Sequence, residues 1–207
     1  MTTSVGPTGT SRRQRVPREV RKAQMLDVAE QVFAERGFAA ASMDDIAERV
    51  GLSKPMLYEY FGSKEGLLVG CINRARTELR QVTEHAVAEA DGAEDALRRA
   101  VRAFFDYIEH RRVSWCMLRH ESAVTVPWAV DEIEGIRRQQ TELFAMLTAG
   151  YLPGAGPMDL EAAAEVVVGA CERVALWAER RGDVSAATAT EYVMRFVWSG
   201  LVSVAAR

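Results

Sequence analysis

Cysteine and histidine are scarce in this chain of 207 residues, which has three of each. They are scattered along the sequence as Cys71, Cys116 and Cys171, and as His85, His110 and His120. This spacing excludes a disulfide framework, a zinc knuckle and a paired redox motif. Each cysteine lies among apolar residues, which is typical of an inert buried thiol. We therefore expect neither a metal site nor a cofactor.

Long apolar stretches are also absent: no run of about 18 uncharged apolar residues occurs, so we expect no membrane-spanning helix. The first 22 residues are basic, with Arg12, Arg13, Arg15, Arg18, Arg21 and Lys22 against the single carboxylate of Glu19. No apolar segment follows these cations, so they do not form a secretory signal peptide. We expect the chain to remain in the cytoplasm.

Charge is unevenly distributed along a chain that is 48% hydrophobic and 27% charged, with a net charge of −3. These values are typical of a globular protein. Residues 1–64 hold ten Lys and Arg against eight Asp and Glu, whereas residues 65–207 hold sixteen against twenty-one. A basic front end on a weakly acidic chain indicates that this end meets a polyanion. Charge alone is equally compatible with a solvated tail.

Apolar residues recur at helical spacing throughout, without strand-like alternation, so we predict an all-α fold of about nine helices. Residues 1–16 are polar and lack periodicity, which predicts a disordered basic arm. The next elements are a helix from Pro17 to Gly37, a helix from Met43 to Val50 capped by Ser42, and a helix from Lys54 to Phe61 capped by Ser53. Together they predict a small domain over residues 17–64.

Residues 65–207 predict a second, larger helical domain. Its elements are a fourth helix capped by Ser63, a helix marked by Leu97 to Ile108, a short segment from Trp115 to Ala123, a helix marked by Ile133 to Leu147, and two long final helices marked by Leu160 to Ala178 and by Val193 to Val204. Pro127 and the loop 150–157, which is rich in glycine and proline, separate them.

Two short helices joined at Gly51 have the lengths and the connector of a helix-turn-helix. The run GLSKPMLYEYFGSKEGLL, from Gly51 to Leu68, closely resembles the signature of the tetracycline-repressor (TetR) family. Seven earlier residues fit the same pattern: Phe33, Ala34, Gly37, Phe38, Ser42, Ile46 and Ala47. The resemblance covers roughly residues 18–70. It implies a three-helix DNA-binding domain followed by a ligand-sensing and dimerisation domain over residues 65–207.

The third helix is the element that such a domain places in the major groove, where its first side chains reach base edges. The residues that we expect to contact DNA are Ser42, Ser53, Lys54, Pro55, Met56, Tyr58, Tyr60 and Lys64. Lys54 can donate to guanine, and Pro55 and Met56 suit a thymine methyl group. The side chains of Ser42, Tyr60 and Lys64 suit phosphates, which position the protein without reading sequence.

Four further features of this region have other interpretations. Leu57 and Phe61 are predicted to pack in the small helical core. Glu59 either turns away from DNA or accepts a hydrogen bond from a cytosine amino group. The three arginines of the arm, Arg12, Arg13 and Arg15, either enter a minor groove or raise non-specific affinity.

Reading two half-sites about 34–36 Å apart requires two copies of such a domain, so we expect a homodimer. The last two helices are the predicted interface, because they carry small residues that allow close helix approach: Ala164, Ala178, Gly200 and Ala205. The alternative is that these faces only complete the core of the monomer.

Large aromatic residues concentrate in the middle of the chain, as they do around apolar ligand sites. The residues that we expect to bind a ligand are Phe104, Tyr107, Trp115, Trp128, Gln140, Phe144 and Trp177. Gln140 falls on an otherwise apolar stripe, and Glu172 with Arg173 interrupts the next one. Buried polar groups need partners, which are a ligand, water or each other. The predicted ligand is mostly apolar.

The family resemblance implies a repressor that binds a palindromic operator and is released when a small molecule fills the C-terminal cavity, with the fourth helix pivoting between the two parts. One alternative is a DNA-binding dimer without a small-molecule effector, controlled by a protein partner or acting as an activator. The other alternative is an enzyme that uses Cys116, His120 and Glu121. No nucleophile elbow, phosphate-binding glycine loop or metal-ligand spacing in the sequence supports this alternative.

Overall fold

The computed structural model describes residues 16–121, 127–149 and 154–205. Over these ranges the chain forms nine helices and no strands, which confirms the predicted all-α class. The helices are α1 (Arg18–Ala40), α2 (Met43–Val50), α3 (Lys54–Phe61), α4 (Lys64–Val87), α5 (Ala93–His110), α6 (Arg112–Glu121), α7 (Pro127–Ala149), α8 (Pro157–Arg181) and α9 (Ala186–Ala205). None of the described helices is long and apolar enough to cross a bilayer. The predicted arm, apart from its last residue, lies outside the described residues.

Glycine and serine determine the ends of the first helices. α2 ends at Gly51, whose φ of 73° lies in the left-handed region that residues with a Cβ rarely adopt. The hydroxyl of Ser42 accepts a hydrogen bond from the backbone N–H of Asp45 at 3.1 Å. The hydroxyl of Ser63 accepts one from Gly66 at 3.0 Å. Both serines therefore cap their helices as predicted.

Only the position predicted for the Ser53 cap is confirmed: this residue is the N-cap of α3. Ser53 directly precedes α3, but its side chain makes no capping hydrogen bond. Pro55 has no N–H to donate, and the N–H of Met56 donates instead to the backbone carbonyl of Ser53 at 3.0 Å. The hydroxyl of Ser53 is therefore not used to hold the helix, and the residue is exposed.

The first core joins α1, α2 and α3 to the beginning of α4. Its fully buried members include Phe33, Ile46, Leu57, Leu68 and Ile72, each with 0% exposure. Burying a side chain of this size contributes about 1.5–3 kcal/mol. Leu57 is thus a core residue as predicted, while Phe61 is half-buried and packs against this core. One side of α3 is consequently held, and the opposite side faces outward.

The junction between α3 and α4 is tight because of a glycine. A Cβ on Gly66 would overlap the backbone carbonyl oxygen of Phe61, so no larger residue fits without movement of the backbone. α4 then continues without interruption through 24 residues. Its first turns lie in the first core, and its later residues Ala75, Leu79 and Thr83 line a cavity in the second part of the molecule.

The second core is formed by α5, α7, α8 and α9. Its buried members include Leu97, Val101, Phe105, Phe144, Ala164, Val167, Cys171, Val193 and Leu201. Ala164 is fully buried inside this core, so it serves the monomer and does not offer a surface to a partner. Gly200 is exposed, Ala178 is partly buried, and the side chain of Ala205 lies outside the described part.

A buried ion pair connects α1, α4 and α6. Glu30 on α1 is 3% exposed, and its Oε1 accepts a hydrogen bond from Arg74 Nε at 3.0 Å. The second Arg74 nitrogen lies 2.6 Å from Glu30 Oε1, and a third donates to Asp27 at 2.7 Å. Ser114 on α6 donates to the other oxygen of Glu30 at 2.7 Å. Burial alone would lower the pKa of Arg74, but Glu30 and Asp27 outweigh burial and raise it.

Candidate nucleic-acid interface and internal cavity

The outer side of α3 and its N-cap residue present four of the eight side chains that we predict to contact DNA. Ser53, Lys54, Pro55 and Tyr58 are exposed, and Tyr58 exposes 42% of its surface. Lys54 and Tyr58 are four residues apart and therefore lie on the same side of the helix. Glu59 is exposed beside them. The remaining two candidates on this helix, Met56 and Tyr60, are half-buried.

Two arginines of α1 lie next to these half-buried side chains. Arg21 donates to the sulfur of Met56 at 3.4 Å, and the guanidinium of Arg18 lies 5.2 Å from the centre of the Tyr60 ring. In the sequence, both arginines belong to the general basic run of the first 22 residues. Their spacing of three residues on a predicted helix, within that run, was the signal for a shared face.

Lys54 is held by a carboxylate of the neighbouring helix. Its Nζ donates to Asp44 Oδ2 at 2.8 Å, and both side chains are exposed. The hydrogen bond and the charge of Asp44 raise the pKa of Lys54, so the lysine is a permanent cation. Asp44 and Asp45 lie in the first turn of α2, where carboxylates interact favourably with the helix dipole. Any base or phosphate that Lys54 binds must compete with Asp44.

Lys64 contacts the protein itself. Its Nζ donates to the carbonyl oxygens of Phe38 at 2.8 Å and Ala41 at 3.0 Å, and lies 4.3 Å from the centre of the Phe38 ring. The lysine thus satisfies two backbone carbonyl groups at the end of α1 and connects this end to the beginning of α4. Binding of a phosphate by Lys64 stays a prediction.

We expect replacement of Lys64 with methionine to lower the free energy of unfolding by about 1–3 kcal/mol, because two partly buried carbonyls lose a charged donor. Urea unfolding followed by circular dichroism measures this change. Lys54→Met is the matched control, since its exposed ion pair contributes at most about 1 kcal/mol. If both variants unfold like the parent protein, the carbonyl contacts of Lys64 do not stabilise the fold.

A partly enclosed cavity of about 90 Å³ lies between α4, α5, α6, α7 and α8. Its wall is mainly apolar and includes five of the residues that we predict to bind a ligand: Phe104, Tyr107, Trp115, Gln140 and Phe144. Trp177 is not among the described lining residues; its ring packs edge-on against Tyr192, with ring centres 5.6 Å apart. The side chain of Trp128 lies outside the described part of the structure.

The polar groups of this wall are mostly neutral or paired. The hydroxyl of Tyr107 donates to the carbonyl of Ala75 at 3.3 Å, and burial raises the pKa of this tyrosine. Burial also raises the pKa of the Cys171 thiol to about 12. Arg137 donates to both carboxylate oxygens of Glu172 at 3.0 to 3.2 Å and also to Glu134. No group of three potential metal ligands occurs among the residues that were placed.

Together, the paired short helices with an outward-facing α3 and the separate helical part with its cavity define a DNA-binding transcriptional regulator. Residues 25–71 match the family model of bacterial regulatory proteins, tetR family, and residues 93–200 match that of the tetracyclin repressor-like C-terminal domain. The chain belongs to the TetR family, which confirms the resemblance found in the sequence.

Individual relatives agree with this assignment. The chain is 30% identical over 200 residues to the HTH-type transcriptional activator FasR of Mycolicibacterium smegmatis, covering 94% of this chain and 90% of the relative. A TetR-like transcriptional regulator from Rhodococcus sp. RHA1 is 34% identical, with a TM-score of 0.74 over 91% of this chain and 99% of that structure. The fatty acid degradation regulator FadR from Bacillus halodurans has the same fold, with 20% identity and a TM-score of 0.76 over 87% of this chain and 96% of that one.

Proposed function

We propose that this protein is a ligand-responsive repressor that binds a palindromic operator as a dimer and is released by a mostly apolar small molecule. The observation that carries the proposal is the apolar cavity, because it is lined by the same helix, α4, whose first turns pack in the DNA-binding core. A molecule that fills the cavity acts directly on α4 and thereby on the separation of the two α3 helices in the dimer.

A second route from the cavity to the DNA-binding part runs through α6. Trp115 lines the cavity, and its neighbour Ser114 donates to the buried carboxylate of Glu30 on α1. A shift of α6 when the cavity is occupied changes this hydrogen bond. Coupling through α4 and coupling through α6 both end on α1, which packs beside α2 and α3.

The dimer interface that we propose is formed by α8 and α9. Large apolar side chains on these helices are exposed in the single chain, among them Phe196 at 76%, Val166 at 60% and Val202 at 45%. Apolar surface of this kind is what a helical dimer buries. Gly200 lies between Phe196 and Val202 along α9, and apart from its own turn of the helix no atom of the described residues lies within 4 Å of a Cβ built on it.

Replacement of Phe196 with glutamate is expected to raise the dissociation constant of the dimer about 30-fold or more, since it places a charge in the proposed interface. Sedimentation velocity over a concentration series measures this change. Val82→Glu, at an exposed position of α4, is the matched control and leaves the dimer intact. A Phe196→Glu variant that remains as dimeric as the control would place the interface elsewhere.

A second candidate function differs in the sign of regulation. The relative that is 30% identical over nearly the whole chain is named an activator. The same DNA contacts serve an activator if it recruits the transcription machinery from its site. In that case occupation of the cavity, or of another surface by a protein partner, controls activation and not release.

Selection of bound duplexes from a random DNA pool, followed by release with apolar compounds, tests the proposal. We expect a palindromic consensus and at least one compound that both dissociates the complex and raises the melting temperature. Transcription in vitro from the selected site then distinguishes repression from activation. Failure to bind any duplex at low ionic strength would refute DNA reading by α3. Binding that no stabilising compound reverses would refute release by a ligand.

A further inference from the structure

Two hydrogen-bond donors in the cavity wall have no partner among the described residues. Trp115 Nε1 on α6 and Gln140 Nε2 on α7 are buried, and neither forms a hydrogen bond in the structure. Both residues line the cavity described above. Buried donors are nearly always satisfied in proteins, and an orphaned donor in a cavity points to a missing acceptor. Two such donors around one apolar space therefore indicate a ligand that brings its own acceptor.

The charges around the cavity restrict what this acceptor is. Arg137 is the cation among the described lining residues, and its nitrogens already donate to Glu172 and Glu134. Its hydrogen bonds with Glu172, the largest influence, raise its pKa. Arg76, on the α4 side, donates to Gln139 of α7 and is not part of the lining. A ligand carboxylate would thus lose its hydration without gaining a free cation.

Apart from the paired Arg137 and Glu172, the titratable groups of the described lining are uncharged. Tyr107 and Cys171 both have pKa values raised by burial, so each is protonated at neutral pH. The Tyr107 hydroxyl already donates to the Ala75 carbonyl. Against such a wall, a neutral acceptor is favoured over an anion and an acceptor is favoured over a donor.

We propose that the cavity takes a molecule with an apolar body and an uncharged carbonyl group, such as an ester, thioester, amide or ketone, and that Trp115 and Gln140 donate to this carbonyl. The inference rests on the proposed function, because it names the chemical class of the effector. Ligand binding itself is measured without DNA, so the two claims fail separately.

The first test needs no ligand. Gln140→Leu removes a donor that has no partner, so the melting temperature of the unliganded variant is expected to equal or exceed that of the parent protein. Gln139→Leu is the matched control, because the neighbouring amide is paired with Arg76 on both its oxygen and its nitrogen. This control is expected to melt at a lower temperature. If Gln140→Leu loses as much as Gln139→Leu, the donor is already satisfied and the inference is wrong.

The second test uses three probes of similar length: methyl decanoate, sodium decanoate and undecane. Binding is followed by quenching of tryptophan fluorescence. We expect the parent protein to bind the ester at least about 10-fold more tightly than the carboxylate. Trp115→Phe and Gln140→Leu are each expected to weaken binding of the ester by about 2- to 13-fold. Binding of undecane is expected to change less than about twofold. Trp198→Phe, outside the described cavity lining, is the control for loss of an indole.

Each outcome decides the matter. Equal weakening of ester and undecane, carboxylate binding as tight as ester binding, or no binding by any of the three probes would overturn the proposed ligand class. Ester binding that leaves the selected duplex bound would overturn the role of this ligand as an effector and retain the assigned chemistry. Release of the duplex by decanoate without ester binding would retain the role of the cavity as an effector site and overturn the assigned chemistry.

Discussion

Replacing Arg74 with methionine is expected to lower the free energy of unfolding by about 3–5 kcal/mol, because the carboxylate of Glu30 then remains buried without its cation. The side chains of Glu30 and Arg74 are only 5% and 15% exposed, so water cannot substitute for the lost guanidinium. The change is measured by urea unfolding at one fixed protein concentration, since a dimer gains stability with concentration.

The control for this prediction is an exposed pair of the same chemistry. Arg102 and Asp106 are four residues apart on α5, 2.8 Å between charged atoms and largely open to solvent. Arg102→Met is expected to cost less than about 1 kcal/mol. The double variant Glu30→Leu, Arg74→Met is expected to recover much of the loss, because removing both charges leaves no buried ion. Equal stabilities of Arg74→Met and Arg102→Met would contradict the importance of this buried pair.

Replacing Lys54 with alanine is expected to weaken binding of the selected duplex by about 5- to 150-fold, which corresponds to about 1–3 kcal/mol. Lys54 is exposed at the first position of α3 and carries a full positive charge. Fluorescence anisotropy on the selected duplex and on single-base variants of it measures the change. If Lys54 donates to a base, the variant discriminates less between bases at one position of the site. If Lys54 contacts a phosphate, the slope of log affinity against log salt concentration decreases in magnitude by about one.

Two companion variants isolate the contribution of Lys54. Asp44→Asn removes the carboxylate that holds this lysine and would repel phosphates, so we expect a severalfold tighter complex at low salt. Arg102→Ala removes one positive charge from α5 and controls for the change in net charge. Should Lys54→Ala bind as tightly as Arg102→Ala, the position of α3 in the groove would have to be revised.

Local features of the fold were predictable from the sequence. The bounds predicted for α2 and α3 are the observed ones, because a glycine with positive φ or a serine cap marks an end within one or two residues. α6 begins at Arg112, three residues before the predicted segment, since its polar first turn has no apolar periodicity. The exposed side of α3 followed from the four-residue spacing of Leu57 and Phe61, which predicts that both face the small core.

Contacts between distant residues could not be predicted from one sequence. Lys64 was expected to hold a phosphate, and its carbonyl partners lie 23 and 26 residues earlier in the chain. The partners of Glu30 lie 44 and 84 residues away, and no local pattern connects them. The prediction that Trp177 lines the cavity rests on its aromatic character alone, whereas its position on α8 directs it towards Tyr192 on α9.

The unbroken course of α4 from the first core to the cavity wall limits how this protein can be recombined with its relatives. Each residue added to a helix advances it by about 1.5 Å and rotates everything beyond by about 100°. A chimera that joins this DNA-binding part to a foreign sensor must therefore cross over within α4 at matched positions. Ile72 then still faces the first core, and Leu79 still faces the cavity. A crossover shifted by a single residue would present the sensor in the wrong orientation, even though both halves fold.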